Sequence, residues 1–390
     1  MKDLSKLVQQ MKPSGIREFF NYASERPDVV SLSVGEPDFV TPKPIIDAAE
    51  ESLDKGKTFY TSNQGLPLLR EKISAYLMNR FDICYERDEI ILTAGSSQGI
   101  LASLLALINP GDEIIVTEPT YICYVPDIEM CGGKAVIIPL SPKTEYKLTP
   151  ELLAKHITDK TKAVFLSYPN NPTGAIMTKK DLESLVPLIK KHDLYVISDE
   201  IYAELTYGQE THYSIASYDE EMRNRTILVS GFSKAFAMTG WRLGYVCAHK
   251  NILDQILKIQ QYIMLSAPTN AQYGAIAGID KCLPDVKKMV DEYNCRREYL
   301  LKSFEELGIE CFNACGAFYL FPSIKKTCMS SRDFCLKLLN DYNVLVVPGT
   351  AFGDSGEGYI RISYATSFQN LKRFIEVLTL LIRGGANETL

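Results

Sequence analysis

The 390 residues include ten cysteines but no CxxC pair, and the four histidines (His156, His192, His212, His249) form no HxxxH or similar cluster. Cys311 and Cys315 lie closest together, yet no second pair or histidine completes a tetrahedral zinc site. No metal is expected. The most apolar stretch, around Ile100–Ile108, falls far short of the roughly 20 residues needed to cross a bilayer. The opening MKDLSKLVQQMKPSG lacks the apolar core of a secretory signal, so a cytoplasmic protein with reduced thiols is expected. Blocks of like charge are missing as well. Net charge is −6, with acids and bases interleaved, and no basic surface offers itself to a phosphate backbone. Neither nucleic acid nor membrane is an expected partner.

What is present has the balance of a globular chain, 46% hydrophobic and 23% charged, long enough for two or three domains. Between Asp88 and Cys247, short β-rich runs alternate with helical segments. The predicted strands are Glu89–Thr93, Glu113–Thr117, Ala135–Ile138, Ala163–Ser167, Leu194–Ser198, Thr226–Ser230 and Leu243–Cys247. Near-continuous apolar runs such as AVFLS and LYVIS suit strands buried on both faces. Helices are predicted between most of them, as at Ser97–Leu107 and Lys179–His192. The fold class is therefore α/β, a mainly parallel sheet covered by helices, with room for one antiparallel strand after the last tight loop.

Beyond Lys250 the pattern changes to long helices (Lys250–Met264, Pro284–Leu307, Ser331–Tyr342, Ser367–Arg383) around short strands (Ala317–Phe321, Val344–Val347, Tyr359–Tyr364). That reads as a smaller α+β domain. The expected division is an N-terminal arm over 1–45, containing a helix at Gly15–Arg26, a large domain over 46–285 and a small domain over 286–390.

Ligands of open parallel sheets sit at the carboxyl ends of the strands. Four loops in this sequence occupy that position. TAGSSQGI (Thr93–Ile100) opens a helix with small residues, so backbone N–H groups and the Ser96 and Ser97 hydroxyls can hold a phosphate. The plain alternative is a helix cap by Ser96. A third reading is a G-x-S-x-G elbow with Ser97 as a hydrolase nucleophile, which needs His212 or His249 nearby. SYPNNPTGAI (Ser167–Ile176) is turn chemistry that could also present Asn171 to a ligand. YVISDEIYAEL ends a buried strand in Asp199, followed by Tyr202. An ionised, half-buried Asp199 calls for a cationic partner, unless it merely caps a helix. VSGFSKAFAMTGWRLGY places Lys234 among small and apolar residues, where desolvation lowers an amine's pKa toward reactivity. Arg242 follows with a guanidinium fork suited to phosphate. A fifth segment, YIRISYA, sets Arg361 between Ile360 and Ile362, where either an internal salt bridge or a bidentate hold on a substrate carboxylate would satisfy it.

In this order and spacing, from about Val29 to Ala365, the segments resemble the fold-type I pyridoxal-phosphate enzymes, specifically class I aminotransferases. SGFSKAFAMTGWRLGY resembles their lysine signature, and NNPTG and SDEIY their other blocks. The resemblance implies pyridoxal 5'-phosphate as cofactor, joined to Lys234 as a Schiff base. It also implies a ping-pong transfer of the α-amino group from an L-amino acid to a 2-oxo acid. It implies Asp199 at the pyridinium nitrogen, Asn171 and Tyr202 at the phenolic oxygen, and Tyr121 stacked on the ring. Ser96, Ser97 and Arg242 would hold the phosphate. Tyr60 would reach the phosphate of a neighbouring subunit, in a homodimer with shared sites. Gly35 and Arg361 would receive the α-carboxylate, with Asn171 beside them. Many relatives carry serine where this chain has Gly231, which touches only a detail of phosphate binding. The alternatives are a β-eliminating lyase on the same fold, a binding protein with an aminotransferase-like domain, and the Ser97 hydrolase. The donor stays open among aspartate, aromatic, methionine and acetylated diamino acids, and Arg17 fits a distal carboxylate and a surface charge equally.

Overall fold

The structure, a computed structural model, describes residues 2–11, 15, 19, 26, 28–209 and 211–384. Its centre is a seven-stranded sheet of β1 (Ile90–Thr93), β2 (Glu113–Glu118), β3 (Lys134–Pro139), β4 (Thr161–Ser167), β5 (Tyr195–Asp199), β6 (Thr226–Gly231) and β7 (Gly244–Cys247). The strand order is β1-β7-β6-β5-β4-β2-β3. The pairs from β3 through β6 are all parallel, while β7 runs antiparallel to both β6 and β1. Parallel strands need long crossovers, and the helices that supply them cover both faces. The apolar runs are accordingly buried: Val164, Val196, Ile197, Ile227 and Val229 are all fully enclosed.

The helices Ser96–Leu107, Lys179–Lys191, Lys250–Ile263 and Ser331–Tyr342 lie within a residue or two of their expected bounds. Four further helices, Lys43–Asp54, Pro67–Phe81, Tyr124–Met130 and Pro150–His156, carry proline in or near the first turn or are too short to show a clear period. A separate helix, Thr269–Lys281, ends one residue before Leu283–Glu306 begins, and it packs on Lys43–Asp54 and Pro67–Phe81.

The expected strand Val344–Val347 is in fact two. Val344–Leu345 pairs in parallel with Val30–Ser31, and Val347–Pro348 pairs antiparallel with Ile360–Ser363. One apolar run thus serves two sheets, a choice of partner that periodicity cannot express. Ile360–Ser363 pairs in turn with Tyr319–Leu320, and this small sheet carries Arg361. The helix expected at Gly15–Arg26 falls largely outside the described residues. No described helix is long and apolar enough to cross a membrane.

Candidate active site

At the carboxyl ends of β4, β5 and β6 lies a cavity of about 620 Å³. Ten of the eleven expected residues line it: Gly35, Ser96, Ser97, Tyr121, Asn171, Asp199, Tyr202, Lys234, Arg242 and Arg361. Tyr60 does not. Its side chain is 80% exposed, beside an equally exposed Phe59.

Lys234 stands on a turn that follows β6, held by Met238 N–H donating to Ser233 O at 3.2 Å and Phe232 N–H donating to Leu243 O at 3.2 Å. The Lys234 ammonium donates to the Gly35 carbonyl at 2.7 Å. The segment around Gly35 is itself fastened over this turn: Thr239 Oγ1 donates to Glu36 at 2.6 Å, and Thr41 Oγ1 to Ala237 O at 2.6 Å. Burial lowers the Lys234 pKa to about 8; Glu36 opposes the shift, while Arg361 and Arg242 add to it. The amine is therefore available as a nucleophile and base close to neutrality.

Asp199 is the last residue of β5 and is 4% exposed. Its Oδ2 accepts from the Tyr124 hydroxyl at 2.8 Å, and its Oδ1 from Ile201 N–H at 3.1 Å. Burial nevertheless raises its pKa to about 6, against those two hydrogen bonds. No salt bridge reaches it among the described residues. The capping alternative fits only in part, because the Ile201 contact closes a turn and no helix follows. A carboxylate enclosed without a cation is the partner that a protonated ring nitrogen requires.

Across the cavity, Arg361 is 2% exposed and lies between the rings of Tyr319 and Phe352, at 4.6 and 4.8 Å. Nη1 donates to Asn171 Oδ1 at 3.1 Å, Nη2 donates to the Ser33 carbonyl, and Nε is buried with no partner. The internal salt bridge considered for Arg361 is not formed among the described residues; both acceptors are neutral. A buried guanidinium in that state suits an incoming carboxylate. Tyr202 shares a hydrogen bond with Tyr319, hydroxyl to hydroxyl at 2.8 Å.

At one end of the cavity Arg242 stands beside Gly95. Gly95, not Ser96, occupies the cap position of the helix Ser96–Leu107, at φ 81°, and no side chain caps that helix. The Ser96 capping alternative is thereby set aside, and the first-turn N–H groups stay open for an anion. Arg242 also adopts a left-handed backbone at φ 53° and donates to Thr239 O at 3.1 Å and Ala94 O at 3.4 Å, which brings its fork beside Gly95. A Cβ on Gly95 would fall 2.4 Å from Arg242 Nη2. Gly231, the departure noted in the lysine signature, is enforced by packing: a Cβ there would lie 2.9 Å from both Gly244 Cα and Leu243 O. No serine fits.

Several contributors escaped the sequence reading. Tyr124 stacks on Phe165 at 4.1 Å and shares a hydrogen bond with Ser167 at 2.9 Å while donating to Asp199. Its signal was faint, since it follows Tyr121 by three residues at the start of a short helix. Tyr319 and Ser33 carried no local signal at all, and Ser233 stood unassigned beside Lys234 in the lysine signature. The hydrolase reading fails on geometry, because no histidine lines the cavity: His212 Nε2 bonds to Glu200, and His249 caps the helix Lys250–Ile263.

The donor set fits pyridoxal phosphate: a low-pKa amine, an unneutralised buried carboxylate, an open helix N-terminus beside an arginine, and a second arginine with a free N–H. Residues 27–378 match the family described as aminotransferase class I and II. The chain is 47% identical to "Putative aminotransferase YugH" of Bacillus subtilis, covering 96% of this chain and 99% of that protein. It is 41% identical to an aspartate aminotransferase of Pyrococcus abyssi, covering 97% and 98%. An aromatic aminotransferase structure from Pyrococcus horikoshii superposes with a TM-score of 0.90 at 41% identity, over 94% of this chain and 99% of that one. The lyase alternative gains nothing from these relatives. The chain belongs to the class I and II aminotransferase family, and it is a pyridoxal-phosphate-dependent aminotransferase.

Proposed function

We propose a division of labour within this cavity. Lys234 is the attachment point of the cofactor and the group that moves the substrate's α-proton. Asp199 keeps the ring nitrogen protonated, Asn171 and Tyr202 meet the phenolic oxygen, and Tyr121 covers the ring. Ser96, Ser97 and Arg242 hold the phosphate. Gly35, Asn171 and Arg361 take the substrate's α-carboxylate. The observation that carries this reading is the meeting of a low-pKa amine, a buried carboxylate without a cation and a buried guanidinium with an unused Nε–H in one cavity.

Bound pyridoxal phosphate supplies an electron sink for the pair left when the α-proton departs. The protein's part is orientation and proton transfer. Arg361 fixes the carboxylate end, which turns the α-carbon toward Lys234 Nζ. Lys234 takes the proton as a neutral amine and returns it as an ammonium, the role of general base and then acid. The same two groups serve the amino acid in one half-reaction and the 2-oxo acid in the other.

Borohydride reduction of the purified yellow protein, followed by peptide mapping, should place the reduced cofactor on the peptide containing Lys234. An adduct on another lysine, or none, would overturn the assignment.

The exposed aromatic side chains of Phe59, Tyr60 and Tyr262, at 80% exposure or more, support a homodimer in which Tyr60 completes the partner subunit's phosphate site. Tyr60→Phe should weaken cofactor binding without changing the dimer mass. Ten free cysteines and no long apolar helix among the described residues favour a cytoplasmic setting. The arm, large domain and small domain divide at about residues 45 and 285. For the donor, relatives named for aspartate and for aromatic amino acids set the panel, and half-reaction rates across it rank the side chains.

A further inference from the structure

Directly behind Asp199, on the side away from the cavity, lies a second buried carboxylate that the chemistry above does not use. Glu200 is 2% exposed. Its Oε1 accepts from Ser198 Oγ at 2.7 Å and Ser214 Oγ at 2.6 Å, and His212 Nε2 meets Oε2 at 2.6 Å. The Glu200 backbone is tied as firmly: its N–H donates to Val229 O at 2.8 Å, and its carbonyl accepts from Ser230 Oγ at 3.1 Å. Those two partners lie on β6, the strand that leads to Lys234. His212 is braced in turn by the edge of Phe81, with ring centroids 5.4 Å apart.

Burying a carboxylate costs several kcal/mol unless its partners are well placed, and an apolar replacement of similar size is often no worse for stability. Stability alone is therefore a weak reason for this cluster. Its place in the chain supplies a better one. Asp199 and Glu200 share a peptide bond, so a Glu200 side chain pinned at three points restrains the backbone there and with it the direction in which the Asp199 side chain leaves the strand. From the other side, among the described residues, only Tyr124 and one backbone N–H hold that carboxylate.

We propose that Glu200, held by His212, Ser198 and Ser214, is a positioning residue that aims Asp199 at the cofactor's ring nitrogen and couples β5 to the strand bearing Lys234. The inference rests on the role given to Asp199 above.

The test measures the dissociation constant of pyridoxal phosphate by fluorescence titration, with the visible absorption of the bound form as a second readout. Loss of one hydrogen bond to a charged group, converted to affinity, sets the scale at about tenfold. His212→Ala should weaken cofactor binding about tenfold, while His212→Gln, which restores an N–H donor, should recover most of it. Ser214→Ala, a smaller change that keeps the test alive if His212→Ala does not fold, should cost about threefold. Glu204→Gln is the control: Glu204 is also buried, bonded to Tyr76 at 2.6 Å and to Arg80 at 2.6 Å, but no hydrogen bond joins its side chain to Asp199 or β6 among the described residues. It should leave the affinity within about twofold. Equal losses in His212→Ala and Glu204→Gln would mean a purely structural cluster and overturn the proposal, as would unchanged affinity in Ser214→Ala. Asp199→Asn separates the two levels of inference. If it weakens binding and the His212 and Ser214 variants do not, the positioning role alone falls. If it too has no effect, the role of Asp199 falls with it.

Discussion

Two buried arginines in the C-terminal half make opposite use of the same side chain. Arg296 is 6% exposed and closed within the chain. It meets both oxygens of Asp38 at 2.8 and 3.0 Å, Glu292 at 3.0 Å and the Tyr364 carbonyl at 3.3 Å. Arg361 is buried more deeply, yet among the described residues it finds only two neutral acceptors and its Nε–H has no partner. Both lie over aromatic rings, so packing does not separate them. Neutralisation does. A charge balanced inside the chain contributes to the fold, whereas one left unbalanced waits for a ligand of opposite sign. Asp199 belongs with Arg361 in this respect, and the Arg80–Glu204 pair belongs with Arg296.

Lys234→Ala breaks the open set at its centre. Transamination should fall by at least about 10³-fold, in line with loss of both attachment and proton transfer, while the thermal midpoint holds or rises. Steady-state rates and a melting curve check the two halves of that statement.

Arg361→Ala and Arg296→Ala sharpen the comparison directly. The first should lower kcat/KM about 10²-fold, chiefly through KM for the amino acid, because it removes a charge-assisted hold on the carboxylate. Its stability should change little. The second should cost about 1–3 kcal/mol of stability through the lost hydrogen bonds of a buried guanidinium, because the exposed Asp38 can turn to water instead, and leave KM nearly unchanged. If Arg361→Ala unfolds the protein while Arg296→Ala loses substrate binding, the distinction between open and closed charges is wrong.

The smallest expected effect is a pH dependence. Only the neutral amine reacts, so the rate of cofactor uptake by cofactor-free protein should rise with pH below the Lys234 pKa and level off above it. Burial has brought that value down from 10.5 to about 8, so the rise should be about tenfold between pH 6 and 7 and end soon after pH 8. Stopped-flow absorbance gives the curve. A rate still climbing toward pH 10 would mark an ordinary, solvated lysine.

Much of this was legible in the chain. Runs such as AVFLS and LYVIS identified strands buried on both faces, and every strand of the central sheet lies where the alternation put it, because apolar period and strand burial are local properties. The loop chemistry was equally local. The short helices Tyr124–Met130 and Pro150–His156 were missed, since seven residues scarcely complete two turns and show little period. Val344–Val347 was identified as extended, but its split between two sheets was not.

The sequence by itself determined which chemical groups the protein owns and the strand ends on which they stand: an amine in an apolar loop, a carboxylate closing a strand, arginines suited to anions. Tertiary structure alone decided which charges find partners inside the chain. Gly35 meets Lys234 across 199 positions, and Arg361 reaches Ser33 across 328. Such meetings follow from strand order and from the path of the crossovers, which no local spacing encodes. Whether a buried charge is balanced or left waiting depends on those meetings, because in a low-dielectric interior only a direct neighbour can offset it.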